Sequence, residues 1–99
     1  MTEQEILQDI LLPDLERRNP TDTLWNYLLI LIASAEKRIQ AEGITLDLDD
    51  YDDCVTVAMY AAYLCRYRAR PDNPMPRMLR LRLNDRLLDE KMRPEVDDG

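Results

Sequence analysis

Residues 22–41, DTLWNYLLILIASAEKRIQA, decide the fold. Leu24, Leu28, Leu31, Ile32, Ala35 and Ile39 recur at i, i+4, i+7, i+8, i+11 and i+15, the period of about 3.6 that lays one face of an α-helix against a core. Trp25 and Tyr27 widen that apolar face. Thr21 or Asp22 supplies a capping side chain for the first free amides. Lys37 and Arg38 suit the negative end of the helix dipole, and Gly43 is the natural stop. The pattern predicts a central packing helix.

Outward from this element the same alphabet continues. Toward the N-terminus, Thr2 and Glu5 have the spacing of a capping box. Ile6, Leu7, Ile10 and Leu11 follow at helical spacing, Pro13 closes this short helix, and Asn19-Pro20 marks a turn. Toward the C-terminus, Ile44 to Leu48 alternates apolar and polar residues, but a lone strand has no partner and the segment reads as a loop. A third helix runs from a cap at Asp49 or Asp50 to about Arg70. Its first turn is acidic, and its last turn holds Arg66, Arg68 and Arg70, both favourable to the dipole. Its middle, Val55 to Leu64, is apolar on nearly every side, which implies burial on most sides, and Ala58, Ala61 and Ala62 allow close approach of neighbours.

Pro71, Pro74 and Pro76 then break the chain, with Pro76 suited to the first turn of a fourth helix reaching about Met92. That helix shows two apolar stripes, Leu79-Leu83-Leu87 and Met78-Leu81-Leu88-Met92. One suffices for a two-layer domain, so the second is a candidate surface for another chain. The expectation is an all-α bundle of about four helices, one short and three longer, in a single domain over residues 1–93. Residues 94–99 read as a disordered acidic tail.

Composition agrees. Ninety-nine residues, 45% hydrophobic and 33% charged with two glycines, make one globular domain able to bury a core without metal or disulfide. Cys54 and Cys65, eleven residues apart on one helix, are separated by about 16 Å of helical rise and cannot pair. Two unpaired thiols suggest a reducing compartment. No segment reads as a signal peptide, and the longest apolar run, Tyr27 to Ala33, is far short of the roughly eighteen residues of a membrane span.

The search for chemistry returns little. With no histidine, the commonest general base and the Ser-His and Cys-His pairs are excluded. Asp47 and Asp49 resemble the start of a calcium loop, but Tyr51 stands where an oxygen ligand is needed, Asp52 where glycine is needed and Ala58 where the bidentate glutamate is needed. No glycine-rich phosphate loop occurs, and no carboxylate pair stands out among the twenty acids. The expectation is no enzymatic activity and no cofactor.

Charge is more informative. The net charge is −7, yet Glu42, Asp47, Asp49, Asp50, Asp52 and Asp53 fall in one stretch without a base. Arg66, Arg68, Arg70, Arg77, Arg80, Arg82 and Arg86 follow against only Asp72 and Asp85. The arginines read either as helix-edge side chains paired with local acids, or as a contact for another protein, or as a nucleic-acid face. A helix–turn–helix reading is opposed by the three-proline link and by an isoelectric point near 4.5. Separate acidic and basic patches would let copies bind head to tail, and such heterologous contacts close into rings when the rotation permits.

Two segments carry a family resemblance. Asp22, Leu24 and Leu31-Ile32-x-x-Ala35-x-x-x-Ile39 form one. Tyr60-Ala61-Ala62-Tyr63-Leu64-Cys65-Arg66-Tyr67-Arg68, then Met75-Pro76-Arg77-Met78-Leu79-Arg80 and Leu83-Asn84-x-Arg86-Leu87, form the other. Over roughly residues 20–92 the chain resembles the head–tail connector proteins of tailed bacteriophages and prophages, also described as adaptor or DNA-packaging proteins. The resemblance implies a helical subunit that forms a ring under the portal protein and binds the tail-side connector component. It implies residence at the virion's head–tail junction, and in the host cytoplasm before assembly. DNA would pass through the ring without being read, and no membrane is involved. The candidate assembly interface comprises Asp47, Asp49, Asp50, Asp52 and Asp53, the arginines 66, 68, 70, 77, 80, 82 and 86, and Met78, Leu81, Leu88 and Met92. A small DNA-binding regulator and an acidic phage protein that binds a host protein are the alternatives.

Overall fold

The computed structural model describes residues 1–92, and the expected tail at 94–99 lies outside them. Four helical segments and no strand occur among the described residues: α1 (residues 3–14), α2 (Asp22–Ala41), α3 (Tyr51–Ala69) and α4 (Arg77–Met92). The bundle is all-α, with one short helix and three longer ones.

In α1 the capping box forms as its spacing predicts. Thr2 Oγ1 accepts from the Glu5 amide at 3.2 Å, and Glu5 Oε1 accepts from the Thr2 amide at 2.8 Å. Pro13 does not end the helix, contrary to its reading as a terminator. The middle of α1, Leu7–Leu11, is a π-helical turn in which the Leu12 amide reaches back to the Leu7 carbonyl. In a regular α-helix the proline ring would press on the carbonyl four residues earlier, that of Asp9. The wider turn relieves that contact and carries the helix through Pro13 to Asp14. It ends in a Schellman motif, with Glu16 N–H bonded to Pro13 O at 3.1 Å and Arg17 N–H to Leu12 O at 2.9 Å. Glu16 takes the left-handed position, φ 58°, that glycine usually fills.

Helix α2 starts at Thr21, whose hydroxyl accepts from the Leu24 amide at 3.1 Å. It ends at Ala41, two residues before Gly43, which adopts φ 107° and donates to Gln40 O. Leu28, Ile32, Ala35 and Ile39 are buried as their spacing requires, and Leu24 and Leu31 are half-buried at the edge of the face. Helix α3 starts at Asp50, whose carboxylate accepts from the Asp52 amide at 2.9 Å. Val57, Ala58, Tyr60, Ala61 and Ala62 are all buried, so its middle packs on several sides. Helices α2 and α3 form the most extensive helix pair of the bundle, and α1 packs across α3 through its π-helical turn. Tyr60, Tyr63 and Tyr67 follow one another along α3, the first pair edge to face and the second tilted, with ring centroids 6.0 and 5.7 Å apart.

Helix α4 begins after Pro76, whose carbonyl accepts from the Arg80 amide at 3.1 Å. Pro76 therefore takes the capping position rather than the first turn. Leu79 and Leu83 are fully buried and Leu87 packs partly against the core, while the other stripe faces outward. Both thiols are free, Cys54 buried and Cys65 half-buried. No helix among the described residues is long and apolar enough to cross a membrane.

Candidate assembly surface

The loop from Glu42 to Asp50 is acidic because its carboxylates hold its own turns. Asp47 Oδ1 accepts from the Asp49 amide at 2.9 Å, a side-chain-closed turn, and Asp50 caps α3. Asp53 points inward instead. It is 2% exposed, and its Oδ2 accepts from the Asp47 amide at 2.9 Å. Its Oδ1 lies 3.0 Å from Arg86 Nε.

Arg86 is the centre of this region. Its Nη2 donates to the Thr45 carbonyl at 2.7 Å and its Nη1 to Glu90 Oε1 at 2.8 Å, with Asp89 3.7 Å away. Glu90 also accepts from the Thr45 amide at 3.3 Å. One guanidinium thus fastens α4 to the 44–48 loop and to the start of α3. The hydrogen bond to Asp53, followed by that to Glu90, holds the Arg86 proton more firmly than usual. The Arg86 bond in turn holds the Glu90 carboxyl below its ordinary range.

One turn earlier Arg82 donates to Thr56 Oγ1 at 2.8 Å and lies 3.6 Å from Asp52 Oδ1. Arg80 pairs with Glu42 at 2.5 Å. Arg66 reaches Asp14 on α1 at 3.3 Å, and Arg68 lies over the Tyr27 ring at 5.1 Å. Arg70 and Arg77 make no ion pair with the described residues.

These contacts correct one expectation. Acidic and basic stretches that are separate in sequence are not separate patches in the fold, because α4 lies alongside residues 42–53. Arg80, Arg82 and Arg86 neutralise Glu42, Asp52 and Asp53 within the chain. Asp53 is buried and Arg86 is mostly buried, and both spend their hydrogen bonds within the chain. What stays outward is Asp47, Asp49 and Asp50 on the loop, Asp52 at the start of α3, Arg66, Arg68, Arg70 and Arg77 at its end and around the proline link, and the outer stripe of α4. Met78, Leu81, Leu88 and Met92 are 70%, 45%, 58% and 74% exposed.

Between α3 and α4 runs a groove of about 330 Å³ lined by Asp50, Asp52, Asp53, Thr56, Arg82, Asp85, Arg86 and Asp89. Asp85 and Asp89 were not singled out in the sequence, although their spacing from Leu81 and Leu88 places them along the outer stripe. Elsewhere, α1 and α2 bring Glu3 and Glu36 together. Burial first, then the Glu3 charge and a shared hydrogen bond, push the Glu36 carboxyl up to about 7.

Comparison of the chain with protein-family models, with curated proteins and with solved structures returns no match.

Proposed function

We propose that this chain is a non-catalytic assembly subunit, and that the assembly is the head–tail connector of a tailed phage or prophage. The observation that carries the first part is the outer stripe of α4. Four large apolar side chains stand in water on the face opposite the one that α4 spends on its own core. A row of this kind marks a surface that another chain covers. The resemblance over residues 20–92 supplies the second part: subunits form a ring under the portal, engage the tail-side component, and let DNA pass unread.

Within this reading the charged contacts between copies are fewer than the sequence suggests. Arg70 and Arg77 face the acids Asp47, Asp49 and Asp50 of a neighbour, while the arginines facing residues 42–53 stay inside each subunit. Such rim charges set register and encounter rate more than affinity.

The test is co-sedimentation with a portal protein from the same phage or prophage, across a salt series, using wild type, Arg77→Glu and Leu81→Asp. Binding that weakens with salt and with either substitution supports the reading. Retention on duplex DNA with no portal binding at any salt refutes it and favours a DNA-binding regulator.

A further inference from the structure

The outer residues of α4 have a spacing that its own packing does not need. Met78, Leu81, Asp85, Leu88 and Met92 fall at i, i+3, i+7, i+10 and i+14, the alternation of three and four that forms a coiled-coil seam. The seam is about 21 Å long at 1.5 Å per residue. Its central position is a carboxylate: Asp85 is exposed and meets no donor among the described residues. Asp85 also forms part of the groove wall, with Asp50, Asp52 and Asp89. The two cations in that groove are already engaged, Arg86 by Asp53 and Glu90, Arg82 by Thr56 and Asp52. The face is therefore apolar at both ends and negative in the middle, with further carboxylates along one flank and the exposed Arg77 and Lys91 along the other.

We infer that this seam docks a basic amphipathic helix of another protein. Its apolar residues would cover Met78, Leu81, Leu88 and Met92, and one central Arg or Lys would meet Asp85 and reach toward the groove. The inference rests on the assembly reading above for the claim that the outer face of α4 is used, and adds what uses it.

Charge and size argue against a second copy as occupant. A parallel pair of α4 helices would set Asp85 directly against its counterpart, and each chain carries a net charge of −7. Four side chains offer a few hundred Å² at most, below the roughly 800 Å² per partner of a standard stable interface. One helix laid along the seam is the matching size.

The test uses labelled helical peptides of about 21 residues, three heptads, with leucine at the seam positions and lysines flanking them. One carries a central Arg and the other a central Glu, and anisotropy reads their binding to the intact protein. The Arg peptide is expected to bind about tenfold or more tightly than the Glu peptide. Asp85→Asn should shrink that ratio to about threefold or less by removing the charge it depends on. Leu88→Asp should abolish binding of both. Circular dichroism checks folding, which these outward positions do not determine. Equal affinity for the two peptides overturns the proposal, as does no binding by about 100 μM. So does self-association of the protein alone that Leu88→Asp removes, which would make a second copy the occupant. The assay contains no portal protein, so its failure is separable from failure of the connector reading.

Discussion

Replacing Asp53 by asparagine leaves the Arg86 guanidinium, whose side chain is 12% exposed, facing a neutral amide. Breaking one side of a buried ion pair costs about 3–5 kcal/mol, because the remaining charge stays in a poor solvent without its partner. Arg86 keeps Glu90 and the Thr45 carbonyl, which argues for the lower end, about 3 kcal/mol. The Asp47 amide also loses its charged acceptor. Against a total stability on the order of 5–15 kcal/mol the loss is large, and it lowers the melting temperature by about 12–24 °C in a chain this size. The internal control is Arg66→Ala. That pair joins side chains 55% and 49% exposed, and its loss costs about 0.5 kcal/mol or less. Urea unfolding, followed by the fluorescence of Trp25 and by circular dichroism, measures both. An Asp53→Asn loss below about 1 kcal/mol would refute the assignment of Arg86 as the fastening of α4. A double-mutant cycle of Asp53→Asn with Arg86→Met must also show coupling, since zero coupling would mean that the two side chains act independently.

Glu36 makes a pH prediction. Its folded-state value near 7 exceeds the ordinary 4.5, so the folded chain retains a proton that the unfolded chain has released between those values. The stability this contributes is complete below about pH 4.5 and is lost as pH rises through about 7. Glu36→Gln should remove that slope and add on the order of 1 kcal/mol at pH 8 in urea titrations, a value reduced for the water around this partly exposed group. The two left-handed positions predict opposite signs: Glu16→Gly should stabilise by about 1 kcal/mol, and Gly43→Ala should destabilise by about 1–2 kcal/mol, both measured by thermal melts. Thiol labelling under native conditions should modify Cys65 well before Cys54, because Cys54 is buried, its thiol is pushed up by burial, and it donates to the Leu48 carbonyl.

Helix positions were legible because periodicity and caps are local. Thr2, Thr21 and Asp50 cap as their sequence contexts imply, and Leu28, Ile32, Ala35 and Ile39 are buried on the expected face. The two stripes of α4 also separated as expected, Leu79 and Leu83 inward and Met78 and Met92 outward. Pro13 was misread because its meaning depends on a widened turn that no single-residue preference encodes. The role of the arginines was hidden for a different reason. Arg86 and Asp53 are thirty-three residues apart, and nothing in either local context shows that α4 folds back along the acidic loop. Asp85 was passed over because, within a string of apolar and basic residues, one acid reads as ordinary helix-surface charge.

The attachment of α4 has a consequence for how the molecule comes apart. Two wholly buried leucines and the partly buried Leu87 hold it, and the remainder of its grip is polar, concentrated on one arginine and the loop beneath it. Its hydrogen bonds should therefore open at lower free energy than those of α2 and α3, whose contact is apolar along its length. A chain built this way frays from its fourth helix before the core shared by all four gives way. Native-state hydrogen exchange should show this order, with the α4 amides exchanging before those of α2 and α3.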